Sequence, residues 1–548
     1  LRHVVLASRT TFLLGAVACG LCLGSSAARA QLQSGPPQAN FDAANWATGL
    51  TNATDIAFLA DGRAVITLKG GGIRVGRDGD NLTAAGNITV STGGENERGL
   101  LGVAALRSFR ETPDGSEAQR TVFFFASVSG ANAPQAVFRG VVQANNNMVV
   151  VDPMPITGGL AGNRNHNGGG LVVHKNHVYI SVGDTGANDT PPSNKYSTCL
   201  NVPHGKILRV TPTGAAPADN PLSSVAMVTS CDSPRGEFGM AAPDKRIWAW
   251  GFRNPYRFWI DPITSQLWVG DVGEGSREEV STGGKGQHFG YPFVEGTRAY
   301  MQPWNNNACM GVTPAGACVA PQHDWARMDG GPNCSIGGLI PDGDNGELAG
   351  NGKRLCGWPD DFKTDYFFGD HGSGQIWTAD VKPDRSGLVA NSVKPFAQVG
   401  NISSFRMGPP DALYLVSHGG NRIVRVTPKN YNAQVCAQQQ ASPDAGMPMG
   451  GASGQGGSGG GSGQGGSGQG GTSGQGGNAQ GGSSAQGGDN AEGGATGGGG
   501  DGGAGDDDMS ASDGGGCGCR VGAAGNAASL GALALGILGF VWLRRRRR

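Results

Sequence analysis

Three stretches of this sequence carry residue types suited to chemistry. His166 stands in Asn165-His166-Asn167-Gly168-Gly169-Gly170, directly ahead of the apolar run Leu171-Val172-Val173. A histidine on a glycine-rich loop before a strand sits where a ligand can approach the backbone closely. Imidazole is also the side chain whose ordinary titration lies nearest neutrality, as a general base requires. Arg253 and Asn254, in Gly251-Phe252-Arg253-Asn254-Pro255, form the second candidate. A guanidinium there suits bidentate pairing with an anionic group. The third is Gly270-Asp271-Val272-Gly273-Glu274-Gly275, followed by Glu278 and Glu279. Its carboxylates and open carbonyls suit a hard cation such as Ca²⁺. The plainer alternatives are a solvent-facing histidine, an ordinary salt bridge and a tight turn.

The elements that must position these residues read as strands. A short strand, a turn and a strongly apolar strand recur. Asp55–Phe58 leads through Asp61-Gly62 to Ala64–Thr67, and Leu171–Val173 leads through Lys175-Asn176 to Val178–Val182. Phe258–Ile260 leads through Asp261-Pro262 to Leu267–Val269, and Phe405–Met407 leads through Pro410-Asp411 to Leu413–Val416. Turn chemistry and β-propensity make these hairpins. A further strand follows several of them. Ile207-Leu208-Arg209-Val210-Thr211-Pro212 is nearly repeated as Ile423-Val424-Arg425-Val426-Thr427-Pro428, with Gly72–Val75 and Gln375–Thr378 as relatives. These are expected to be the outer strands of a recurring four-stranded sheet, the pattern of a β-propeller. A β-sandwich is the alternative. Long loops are expected at about Ala187–Met240 and Gly296–Phe362, where most cysteines lie.

Matching pieces along the central region resemble the soluble glucose/sorbosone dehydrogenase family. They include Glu97-Arg98-Gly99-Leu100-Leu101-Gly102-Val103, His166-Asn167-Gly168-Gly169, Gly183-Asp184, Arg253-Asn254-Pro255, Gly270-Asp271-Val272-Gly273, Phe289-Gly290-Tyr291-Pro292 and Ser373-Gly374-Gln375-Ile376-Trp377. The resemblance implies an all-β, six-bladed propeller that binds pyrroloquinoline quinone (PQQ) and Ca²⁺. It implies His166 as the base that takes a proton from a sugar hydroxyl, and Arg253 as the group stabilising the quinone oxygen. It places Asn254 at the cofactor, Gly273 and Glu274 as carbonyl donors to Ca²⁺, and Glu97 on the substrate side. The chain departs from the family pattern in three places. His371-Gly372-Ser373 stands where a cofactor lysine is expected, Ile402-Ser403-Ser404-Phe405 replaces paired arginines, and Asn165 replaces an acidic residue. The Ser403-Ser404-Phe405 and Cys334 segments resemble the Hedgehog-interacting-protein-like branch instead.

The two ends describe an exported chain. Arg2, His3 and Arg9 precede an apolar run from Thr11 to Leu23 and the small-residue site Ala28-Arg29-Ala30, so residues 1–30 read as a signal peptide. Residues 437–516 form a Gly/Ser/Gln-rich stretch that has almost nothing apolar to bury and reads as a disordered stalk. In residues 517–548, Cys517-Gly518-Cys519 precedes the apolar Ala527–Leu543 and the arginines 544–548. That order resembles a MYXO-CTERM sorting tail, cut by a myxosortase-like processing enzyme. The alternative is a permanent membrane anchor made by a C-terminal transmembrane helix. The sorting tail implies surface display, and either puts the domain of residues 31–436 outside the cytoplasm. That domain holds seven cysteines, which pair in an oxidising compartment. Short-range candidates are Cys199–Cys231, Cys309–Cys318 and Cys334–Cys356, which would leave Cys436 over; the sequence leaves the connectivity open. A net charge of −1 offers nothing for nucleic acid. The expected activity is surface oxidation of an aldose or related sugar. With no Cys-x-x-Cys-His haem site in the sequence, electrons pass to an external acceptor. A non-redox carbohydrate- or protein-binding propeller and a Ca²⁺-dependent lactonase are the other readings, since fold does not set function.

Overall fold

The computed structural model describes residues 31–436, except for 93–96, 112, 130–132, 154–159, 161, 164, 187–194, 233–238, 300–308, 310–313, 315–316, 328–332 and 344–354. The expected signal peptide, stalk and C-terminal helix fall outside the described residues. Within those residues, no helix is long and apolar enough to cross a membrane.

Six antiparallel sheets follow one another along the chain. Their innermost strands are Ala53–Phe58, Leu100–Ala105, Leu171–His174, Arg257–Ile260, Ser335–Leu339 and Ile402–Gly408. Each of these touches the innermost strands on either side, and the last touches the first, so the sheets close into a six-bladed propeller. All four expected hairpins form with the expected partners: Ile56 faces Ile66, Val173 faces Val178, Trp259 faces Trp268 and Phe405 faces Leu415.

The inner strands do not alternate between apolar and polar residues. Ala53–Phe58, Ala64–Leu68, Leu267–Asp271 and Ala412–Ser417 are buried at every position. A blade has neighbours on both faces, so both faces must be covered, as in sheets sandwiched between other layers. The cores accordingly lie between blades. Leu101, Phe123, Leu171 and Ile180 join the second blade to the third, while Tyr179, Ile207, Phe258 and Leu267 join the third to the fourth. Each such side chain contributes about 1.5–3 kcal/mol of burial.

Three expectations need correction. The repeated Lys206–Val210 and Arg422–Pro428 are third strands of their blades, with Ile247–Trp250 and Phe41–Thr48 outside them. A strand flanked on both edges is the more buried one, as Lys206–Val210 is at every position, whereas outer strands such as Lys394–Gln398 are mostly exposed; the strongly apolar repeat therefore marks third strands. The last blade is thus completed by an N-terminal strand, which joins the chain's two described ends into the ring. The segments expected as long loops also contain blade strands: Lys206–Val210 in the first, His323–Ala326 and Ser335–Leu339 in the second. Finally, Cys436 is not left over but bonds Cys356 across 80 residues. The ring brings these two segments together, which no sequence spacing reveals. Cys199–Cys231 and Cys309–Cys318 form as expected. These disulfides mark an oxidising compartment, extracellular or periplasmic.

Candidate active site

The start of the first strand and the end of the second lie at the same end of an antiparallel hairpin. Glu97, His166, Arg253 and Asn254 precede first strands, while Asp184, Gly273 and His371 follow second strands. Topology alone therefore gathers them on one face of the propeller, and hydrogen bonds link them across three blades.

His166 is 4% exposed and has φ +52°, a left-handed conformation that is costly for a residue with a side chain. Three bonds hold it there. Its N–H donates to Glu97 Oε2 at 2.7 Å, its carbonyl accepts from Thr185 N at 3.1 Å, and its Nδ1 lies 2.6 Å from Asp184 Oδ1. The close fit requires glycines beside it. A Cβ on Gly183 would stand 2.1 Å from His166 O, and one on Gly168 (φ +68°) would stand 2.6 Å from Ser181 O.

Nothing local to Gly183-Asp184 assigns the aspartate a role; only the fold makes it the partner of His166. Burial pushes its carboxyl up, but His166 and Arg253 beside it, with the Gly186 N–H at 2.8 Å, hold it below the ordinary aspartate value. An ionised Asp184 accepts and does not donate, so the proton of the neutral imidazole sits on Nδ1 and Nε2 carries the free lone pair. That arrangement readies Nε2 to take a proton and stabilises the imidazolium that results.

Arg253 is buried beside this pair. Its carbonyl accepts from Asp184 N at 2.8 Å, and its Nη1 donates to Val272 O at 3.1 Å. Burial pulls the guanidinium down, but Tyr291, Asp184, Glu274 and Glu278 around it hold it above its ordinary value. Its Nε is buried with no hydrogen-bond partner. Among the described residues Arg209 Nε and Arg257 Nε are likewise buried without a partner, so the feature is not special to Arg253; at this mouth it suits a ligand oxygen that carries or develops negative charge. Asn254 braces the loop: its N–H donates to Asp271 at 2.7 Å, its Nδ2 to Glu97 at 3.4 Å, and its Oδ1 accepts from Gly168 N at 3.1 Å. Its side chain thus ties the His166 loop to Glu97. Glu97 lies in the same network; it also lines an axial cavity of about 30 Å³ with Lys69, Tyr256, His371 and His418.

The Gly273–Glu274 pair is brought to the same face, and the Gly273 carbonyl is already engaged as folded. Gly273 O accepts from Arg327 Nη1 at 2.8 Å, while the bond from the Tyr291 hydroxyl to Glu274 at 3.0 Å uses the carboxylate and not the expected carbonyl donor. A guanidinium on the carbonyl repels a metal ion and covers the donor. Among the described residues, no three His, Cys, Asp or Glu side chains are grouped to hold a metal ion.

The positions that depart from the family pattern are accounted for by local bonds. His371 Nδ1 lies 2.8 Å from Ile402 O, and His418 Nδ1 lies 2.9 Å from Ala53 O. A carbonyl only accepts, so each Nδ1 carries a proton. Burial pulls both imidazoles down, His418 to about 3, leaving them neutral at neutral pH. Arg406, just past the two serines, pairs with the buried Asp55 at 3.0 Å, which Ser404 also donates to at 2.6 Å.

The family model for Glucose / Sorbosone dehydrogenase matches residues 50–328, just over half of the 548 residues, and the chain belongs to that family. It is 28% identical over 249 residues to the Aldose sugar dehydrogenase YliI of Escherichia coli (strain K12), covering 44% of this chain and 58% of that protein. It is 27% identical over 273 residues to the uncharacterized protein slr1608 of Synechocystis, covering 46% and 59% respectively. The chain thus spans under two thirds of the length of these relatives. Among solved structures, the soluble aldose sugar dehydrogenase of Escherichia coli in its apo form shares the fold with a TM-score of 0.51 at 21% identity, over 71% of this chain and 100% of that one. An oxidoreductase (glucose dehydrogenase) of Thermus thermophilus does so at 0.52 and 19%, over 71% and 100%.

Proposed function

We propose that this chain oxidises an aldose or related sugar with PQQ as cofactor. The observation that supports this most is the His166–Asp184 pair, bonded at 2.6 Å, next to a buried arginine with an unpartnered Nε. When bound, PQQ supplies a quinone that accepts the two electrons of the alcohol as hydride. Arg253 would hold the quinone oxygen. His166 Nε2 takes the proton of the hydroxyl being oxidised, and Asp184 stabilises the imidazolium. Glu97 holds the His166 backbone and so sets the direction of the base. This reading includes no Ca²⁺ at Gly273 and Glu274. On it, the enzyme works at the cell surface, held by its C-terminal segment, and passes electrons to an external acceptor.

A non-redox carbohydrate-binding propeller is favoured by one observation: His371 and His418 are neutral and Arg406 is spent on Asp55, so positive charge for a tricarboxylate is sparse. Each missing charge-assisted bond forgoes about 1.5–3 kcal/mol. One experiment separates the readings. The purified full chain is titrated with PQQ, then assayed for dye reduction against a panel of sugars. No binding at micromolar PQQ sinks the oxidoreductase reading in favour of the binding module. If PQQ binds, His166→Ala is expected to lower turnover by roughly 10²–10⁴-fold with cofactor binding retained; an unchanged rate removes His166 as the base.

A further inference from the structure

The loop Val272–Arg277 is folded around two charged side chains of the protein itself. On one side, the Glu295 carboxylate accepts the N–H groups of Glu274, Gly275, Ser276 and Arg277 at 2.7, 2.9, 3.1 and 3.2 Å, and the Ser276 hydroxyl at 2.7 Å. Successive amides converging on one anion form a nest, here filled by an internal carboxylate. With the amides turned toward Glu295, the Gly273 carbonyl is left to face another partner.

That partner is a cation. Arg327 Nη1 donates to Gly273 O at 2.8 Å and pairs with the Glu278 carboxylate. The two side chains are 6% and 0% exposed. Glu278 also accepts from Ser335 N at 2.8 Å and Gly273 N at 3.3 Å, and the Arg327 N–H donates to Ser276 O at 3.0 Å. The arginine is therefore tied to the loop through both backbone and side chain. A Ca²⁺ ion needs six to eight oxygens at about 2.3–2.6 Å. It cannot share the Gly273 carbonyl and the Glu278 carboxylate with a guanidinium already bonded to both.

We propose that the Arg327 guanidinium is this protein's built-in replacement for a divalent cation at the loop: it supplies the positive charge at Gly273 O and Glu278 and fixes the loop beside Arg253 without metal. Arg253 donates to the neighbouring carbonyl, Val272 O, so the position of the candidate catalytic arginine is set by a residue of the chain and not by a bound ion. The inference does not rest on the redox reading, because a non-redox propeller would carry the same ion pair.

The test measures Ca²⁺ directly, on full-chain protein without PQQ. Equilibrium dialysis with radiolabelled calcium and thermal melts in EGTA or in Ca²⁺ are run on the wild type and on Arg327→Gln. The expected result is that Arg327→Gln binds one more Ca²⁺ per chain than the wild type, and that Ca²⁺ raises the Tm of the variant more than that of the wild type. Equal binding by the two proteins overturns the proposal. If Arg327→Gln does not fold in EGTA, refolding it with Ca²⁺ or with Mg²⁺ asks the same question. Recovery in Ca²⁺ alone supports the replacement, and recovery in neither or in both overturns it.

Discussion

Replacing Asp184 by asparagine removes one negative charge from the His166 pair while keeping its shape. The native bond is 2.6 Å long, between an ionised carboxylate and the imidazole Nδ1, in a region closed to water. When His166 accepts a proton, the bond becomes an ion pair, and the carboxylate is worth most at that moment. A charge-assisted bond contributes about 1.5–3 kcal/mol, roughly twice a neutral one, so the amide forgoes about 0.8–1.5 kcal/mol. At 1.36 kcal/mol per decade, Asp184→Asn should lower kcat by roughly 4- to 13-fold. The KM for sugar should move little, because Asp184 acts through His166. The assay is dye reduction at saturating PQQ and sugar, with PQQ binding and Tm measured alongside. A folded, PQQ-binding Asp184→Asn with wild-type kcat would refute the reasoning. The same variant has a pH signature in stability. Asp184 titrates below its unfolded value of about 3.9, so it contributes stability that is full above that value and is lost as pH falls through the lower folded value. The Tm difference between wild type and variant should therefore be constant near neutrality and shrink below about pH 4.

Two further predictions concern how the site is held. Gly183→Ala places a methyl 2.1 Å from His166 O, so the loop must shift; a loss of about 1–3 kcal/mol in urea unfolding is expected, together with reduced turnover. Unchanged stability would mean the His166 loop yields freely. Replacing both Cys199 and Cys231 by serine opens a crosslink spanning 32 residues; the chain-entropy model gives a loss of about 3–4 kcal/mol, read as a lower midpoint in non-reducing urea titrations.

Much of the blade structure was legible because blade pairing is local. In each expected hairpin the two strands are separated by a few turn residues, so the pairing of Val173 with Val178 or Trp259 with Trp268 depends on turn chemistry close at hand. The closing strand was not legible. Phe41-Asp42-Ala43-Ala44-Asn45-Trp46-Ala47-Thr48 has a weak apolar pattern and pairs with Arg422–Pro428, at the far end of the domain. The Cys356–Cys436 bond was hidden for the same reason. His166 and Arg253 could be picked out as candidates from residue type and glycine context, whereas the aspartate that orients His166 could not, because nothing in Gly183-Asp184 says what it will face.

The sequence by itself determined that this chain builds repeated β-hairpins with charged and imidazole-bearing loops at their ends, and that it carries the motifs of the glucose/sorbosone dehydrogenase family. Those features depend on residues near one another along the chain. Tertiary structure alone decided which side chains meet at the mouth of the ring: Asp184 on His166, Glu97 under its backbone, and Arg327 on Gly273 O where a metal ion was expected. Closing six blades fixes the distances between loops from different blades, and whether a carbonyl meets a cation of the chain or is left open to an ion depends on those distances.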